Sequence, residues 1–273
     1  MVAPPPAWVT CAPSGDPEEA KGLAQACGLR ALERGDRTLR DLLAWAGAVP
    51  VLVLAKEHAL LHVAGVGDHG GRRGRDEPPG FRLTPGMSVL RLLRAARGEE
   101  DPLVRAASLR PGDRVLDATV GLGGDALLAA HATGAAVLGL EASPVLAACA
   151  RASLSRLRGP GPAPAAAAAR VEVRWADHRE ALAALPDRSF DVVLLDPMFR
   201  APGASAPAFD LVRAFAAGEP LPAETLRQAR RVARRGVLVK DAPPGGELLR
   251  LGLVPLPARR LPRIVFGWAA AGS

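Results

Sequence analysis

The residues of this 273-residue chain best suited to chemistry are acids that follow short apolar runs. Asp117 closes the run Val115-Leu116, and Thr119 to Gly124 then make a glycine-rich turn that opens a helix at Asp125. Strand, glycine turn and helix start together form a nucleotide-type cofactor site. Glycine lets backbone approach a ligand, and the unpaired N–H groups of the helix start face it. A carboxylate at that strand tip would repel a pyrophosphate. It suits a cofactor that carries a positive charge or an ammonium group.

Further acids stand at the same kind of position. Glu141 ends the second strand, 24 residues after Asp117, the spacing at which an acid accepts both hydroxyls of a ribose. Asp177 ends the third, where an acid can accept from the amine of an adenine; it also fits the N-cap of a helix over 178–184. Asp196-Pro197-Met198-Phe199 follows the wholly apolar run Val192–Leu195, which reads as a central buried strand. Methylating an exocyclic amine needs acceptors for its N–H bonds, so that the nitrogen lone pair turns toward the methyl group. Asp196 and the carbonyl of Pro197 can supply them, while Phe199 can stack on a planar base. S-adenosylmethionine, with a sulfonium and an ammonium group, is the cofactor that answers both Asp117 and this strand end.

Chemistry of this kind needs a scaffold that gathers strand ends. From Val115 onward, strands at 115–118, 136–140, 171–175, 190–195 and 236–240 alternate with helices at 124–132, 144–157, 178–184, 207–217, 222–234 and 244–250. That alternation predicts a doubly wound α/β fold, a mostly parallel Rossmann-like sheet with ligands at the carboxyl ends of its strands. Residues 251–255 and 263–269 are expected to close it as an antiparallel C-terminal strand pair, and the Pro/Ala-rich stretch 159–169 reads as a loop. Residues 1–75 read as a small N-terminal α+β unit: a strand at Trp8–Cys11, helices near 17–27 and 38–46, and a hairpin of Val49–Ala55 with Ala59–Ala64. Residues 76–110 read as a linker with basic helices at 88–97 and 101–109, and 111–273 as the catalytic domain.

Composition narrows the class. Three cysteines without a CxxC pair and five scattered histidines give neither a disulfide framework nor a metal site. No apolar run reaches the roughly 18 residues of a membrane span, and the proline-rich start lacks a basic secretory n-region, so a cytoplasmic protein is expected. Net charge is +7, with ten Arg or Lys in 227–263 against Asp241 and Glu247, and a second cluster at Arg72, Arg73, Arg75, Arg82, Arg91, Arg94 and Arg97. Such clustering favours a polyanionic partner; solvated helix faces are the plainer reading. Gly121-Leu-Gly123-Gly-Asp-Ala126 also matches the dinucleotide pattern G-x-G-x-x-A. Asp117 before the glycines and Asp-Pro-Met-Phe after the fourth strand tell against hydride transfer.

With Val115-Leu-Asp-Ala-Thr-Val-Gly-Leu-Gly-Gly-Asp-Ala126, Leu140-Glu-Ala-Ser-Pro144, Val193-Leu-Leu-Asp-Pro-Met-Phe199 and Val237-Leu-Val-Lys240 in view, the chain resembles class I S-adenosylmethionine-dependent methyltransferases. More narrowly, it is similar to the family of the ribosomal small-subunit RNA guanine-N2 methyltransferase RsmJ and its uncharacterised relatives. The resemblance implies cofactor binding by Asp117, Ala118, Thr119, Gly121, Gly123, Glu141, Ala142, Asp177 and Asp196. It implies catalysis by Asp196, Pro197 and Phe199, substrate contacts from Met198, Phe199 and Lys240, and ribosomal RNA or the small subunit as partner. Gly124 and Arg200 depart from the characterised family pattern. The alternatives are a methyltransferase for a protein amide or small amine, and a catalytically silent RNA-binding relative.

Overall fold

The computed structural model describes residues 7–64, 80–197, 219–257 and 264–272, together with Phe215. Its larger sheet has six strands in the order β11-β10-β9-β6-β7-β8. These are β6 (Val115–Asp117), β7 (Val137–Glu141), β8 (Val171–Trp175), β9 (Phe190–Leu195), β10 (Ala233–Asp241) and β11 (Val265–Ala270). All neighbours run parallel except β11, which pairs antiparallel with β10. The order reverses between β6 and β9, so Asp117 and Leu194 face each other in register at the topological switch point, where doubly wound sheets bind ligands.

Alternating side chains bury both faces of this sheet. Val115, Val192, Leu194 and Leu238 join one cluster with α5 (Gly124–Thr133) and α6 (Pro144–Ser155). Leu116, Val193, Leu195, Val237 and Val239 join the other, with α8 (His178–Ala184) and α9 (Ala223–Val232). Local signals set the helix ends. Ser143 caps α6 with Pro144 in its first turn, and left-handed Gly134 stops α5.

The N-terminal unit is a five-stranded sheet, order β2-β1-β3-β4-β5. It comprises β1 (Trp8–Cys11), β2 (Arg30–Ala31), β3 (Val51–Leu54), β4 (Ala59–His62) and β5 (Phe81–Arg82), with α1 (Pro17–Ala26) and α2 (Leu39–Ala46). Its fifth strand lies beyond the expected boundary at residue 75. Val9, Leu52, Leu54 and Leu61 belong to the same buried cluster as α5 and α6, so the two sheets share one core.

Three expectations are corrected. The Pro/Ala stretch carries α7 (Ala163–Ala168), since alanine is the best helix former and proline is tolerated in a first turn. Helix α9 ends at Val232, because Ala233 turns extended and starts β10 three residues early. Arg234 and Arg235 therefore sit on a strand, bonded to Asp191 and to Asp113 and the Ser108 carbonyl. Of the closing strand pair, only β11 forms; its antiparallel partner is β10, and 251–255 contributes a single bridge, Pro255 to Gly267. The expected helix over 207–217, apart from buried Phe215, lies outside the described residues, as do Met198 and Phe199.

Candidate active site

Asp117 ends β6 with only 2% of its surface exposed. Its Oδ1 accepts from the Thr119 amide at 3.2 Å. Thr119 in turn ties the glycine turn to the neighbouring strand, because its Oγ1 accepts the Asp196 amide at 2.6 Å. A glycine at 119 would have no hydroxyl to hold the tip of β9. Ala118 donates its amide to the Leu194 carbonyl at 3.0 Å, closing the same joint. Gly123 sits in the left-handed region with φ +85° and forms the N-cap of α5, a conformation that favours glycine.

Glu141 braces the other side of the turn. Its two oxygens accept from the Gly121 amide at 3.0 Å and the Ser143 amide at 2.9 Å. Burial pushes its carboxyl up, against backbone amides of Ser143, Gly121 and Ala142 that favour the charge. The Ala142 carbonyl accepts from Trp175 Nε1 at 3.2 Å. Asp177 lies at the end of β8 as expected, but its oxygens already take the Arg179 amide and three contacts from the Arg179 guanidinium. The helix-cap reading is thus realised, and Arg179 holds this carboxyl below the usual range.

Asp196 and Pro197 stand at the tip of β9, beside Asp117. Lys240 reaches them from β10, with an ammonium that contacts Asp196 Oδ2 and lies 2.5 Å from Asp125 Oδ2. The side chain is 12% exposed and its charge is committed to the two acids rather than open to a phosphate. Asp241, which ends β10, accepts from the Ala242, Glu247 and Leu248 amides.

Burial and the crowding of acids set the electrostatics. Burial, then the charges of Asp125 and Asp196, push the Asp117 carboxyl up to about 8. Burial likewise pushes Asp196 up, with Lys240 pulling the other way. Burial opposes ionisation of Asp125, yet Lys240 and Arg91 hold it below the usual range; burial also opposes the Lys240 charge, yet Asp196 and Asp125 raise it. An acid whose ionisation burial and neighbouring like charges both oppose is a site that gains from a cation, and so the tip of β6 fits a ligand with an ammonium or sulfonium group.

Sequence reasoning missed Asp125 and Arg91 as members of the site. Asp125 reads from the sequence as a helix start, and Arg91 as part of an arginine cluster suited to a polyanionic partner or to solvent, here on α3 (Met87–Ala95). The close seat of α3 explains both. A Cβ on Gly124 would lie 2.5 Å from Ser88 Oγ, so the glycine admits the start of α3 onto the cofactor turn. Among the described residues no group of three metal-ligating side chains is gathered.

A family model described as "Putative SAM-dependent methyltransferase" matches residues 87–250. An uncharacterized protein of Bacillus subtilis, YpiP, is 34% identical over 163 residues, which are 59% of this chain and 63% of that protein. Ribosomal RNA small subunit methyltransferase J of Laribacter hongkongensis is 43% identical over 148 residues, 52% of either chain. The chain therefore spans between half and two thirds of the length of these curated relatives. The crystal structure of a SAM-dependent methyltransferase from Neisseria gonorrhoeae aligns with a TM-score of 0.63 over 96% of this chain and 95% of that one, at 19% identity, and shares its fold.

Proposed function

The chain belongs to this family of SAM-dependent methyltransferases, and from that premise we propose that it transfers a methyl group from S-adenosylmethionine to an exocyclic base amine, guanine N2, of small-subunit ribosomal RNA. The observation that carries the reading is the placement of Asp117 and Asp196 at the tips of hydrogen-bonded neighbours β6 and β9. The name of the Laribacter relative supports the RNA substrate. A ribosomal substrate would also place the protein in the cytoplasm; among the described residues no helix is long and apolar enough to cross a membrane.

When bound, S-adenosylmethionine supplies a methyl carbon activated by its sulfonium. Asp117 would receive the ammonium group, Glu141 the ribose hydroxyls, and the backbone at Ala118, Thr119, Gly121, Gly123 and Ala142 would line the nucleoside. Asp177, with its carboxylate filled by Arg179, shapes the adenine wall rather than bonding the ring amine. Asp196 and the Pro197 carbonyl accept the N–H bonds of the target amine, which turns its lone pair to the methyl group. Met198 and Phe199 follow directly and would cover the base. The proton leaves after transfer, and Asp196, already pushed up by burial, is suited to take it. Arg94 on α3 and Arg97 just past its end are exposed and hold no ion pair among the described residues, which supports a phosphate backbone at this end of α3.

Incubation of the full chain with labelled cofactor and small-subunit RNA lacking its methyl groups, followed by nucleoside mass spectrometry, tests the proposal. Labelled N2-methylguanosine is the expected product. Label confined to protein or to a small amine would overturn the RNA assignment.

A further inference from the structure

Five charged side chains of alternating sign run through the molecule and end at Asp196. Asp101 caps α4 (Pro102–Ala106) and takes Arg91 in a two-bonded contact, Nε to Oδ2 at 2.9 Å and Nη2 to Oδ1 at 2.8 Å. Arg91 Nη1 reaches Asp125 Oδ1 at 3.3 Å, and Asp125 Oδ2 takes Lys240, which closes on Asp196 Oδ2. The chain crosses α4, α3, α5, β10 and β9. Asp101, Asp125 and Lys240 are shielded, with side chains exposed by 4%, 11% and 12%, and Arg91 by 28%, while Asp196 keeps 38% of its side chain open. Among the described residues Asp196 Oδ1 takes no hydrogen bond.

We propose that Arg91, Asp125 and Lys240 are positioning residues for methyl transfer: Asp125, anchored by Arg91, fixes the Lys240 ammonium on one oxygen of Asp196 and leaves Oδ1 ionised and aimed at the incoming amine. The proposal rests on the assignment of Asp196 as the amine's acceptor. The groups facing Asp196 are Lys240 from β10, Asp125 from α5, Asp117 from β6 and Arg91 from α3. Without Lys240, three carboxyls crowd one crevice with only Arg91 beside them, and Asp196 takes up a proton. Its hydroxyl would then meet an amine that itself donates. Asp125 has the opposite local effect, since it shares the ammonium with Asp196. A single buried cation between two acids needs a fixed second partner to keep one geometry.

The opposed roles give the test a signature that loss of packing does not produce. In full-length protein without cofactor, the Asp196 carboxyl is titrated by carbon-13 NMR after selective Asp labelling, with Asp196→Asn assigning the signal. Lys240→Met should move its midpoint upward by about one pH unit or more, and Asp125→Asn downward. In turnover, Lys240→Met should lower kcat by about 10- to 100-fold while cofactor Kd stays within about threefold, with activity recovering toward alkaline pH; Lys240→Arg should restore most of kcat. Equal midpoints in wild type and both variants, or shifts of the same sign, would overturn the proposal whether or not the wild type methylates RNA. A wild type that methylates no RNA yet shows the opposed shifts removes only the substrate assignment.

Discussion

Asp117 is the residue whose titration the cofactor should feel most. Its folded carboxyl near 8 stands above the roughly 3.9 of an unfolded chain. Between those values the folded state keeps a proton that the unfolded state has lost. Its contribution to stability is therefore fully present below pH about 4 and is lost as pH rises toward 8. A cationic ligand reverses the preference, because it favours the ionised acid. Cofactor affinity should then strengthen by up to about tenfold per pH unit from 6 to 8 and flatten above, with one proton released per ligand bound below pH 8. Calorimetry in buffers of different ionisation enthalpy counts that proton, and Asp117→Asn should abolish the slope. At this scale the acids at strand ends were readable, because a strand end beside glycines is a local pattern. Their partners were not. Asp125, Arg91 and Lys240 meet only after α3, α5 and β10 are brought together, across 34 and 115 positions of sequence.

The elements that hold the site depend on backbone room. A Cβ on Gly123 would lie 2.9 Å from Leu154 Cδ1 at a left-handed φ, so Gly123→Ala should cost about 1–2 kcal/mol in chemical denaturation and weaken cofactor binding along with it. Gly139 is packed as tightly, with a Cβ there 2.7 Å from Val120 Cγ2, so the turn is wedged between β7 and α6. Helix α3 offers the outward test. Neutralising Arg94 or Arg97 should lower the salt dependence of RNA binding by about one unit each in log–log slope, whereas Arg234→Gln, spent on Asp191, should leave the slope unchanged and reduce stability. Most strands and helices were legible from apolar runs and caps. The end of α9 was not, because Arg-Arg-Val-Ala-Arg-Arg has good helix formers at every position but Val232, and the sheet pairing of β10 makes it extend. The basic run suggests a surface for a polyanion, yet its arginines among the described residues are bonded to carbonyls and acids of the fold: Arg230 to Ala270, Arg231 to Leu182, Leu185 and Asp187, Arg250 to Leu221 and Glu247.

At the scale of the molecule, the N-terminal sheet is a wall of the same body and not an appendage on a linker. Arg156, the C-cap of α6, gives its guanidinium to both oxygens of Glu19 on α1 and to the Ala55 carbonyl, with its side chain 7% exposed. Arg156→Ala should lower stability by about 1–3 kcal/mol while unfolding remains one transition by fluorescence and circular dichroism alike. Separate transitions would mean that the two sheets fold independently. The class of the larger sheet was legible from alternation alone, since βα repeats admit few topologies. The shared core was not, because it joins β3 and β4 to α6, some 90 residues along. Everything functional in this arrangement depends on a division of labour between two adjacent acids. The direct test is the equilibrium affinity for S-adenosylmethionine measured by calorimetry on the wild type, Asp117→Ala and Asp196→Ala. The account predicts that Asp196→Ala binds within about threefold of wild type, whereas Asp117→Ala loses about 10- to 150-fold. Normal binding by Asp117→Ala with loss in Asp196→Ala would contradict it, as would a wild type that does not bind the cofactor.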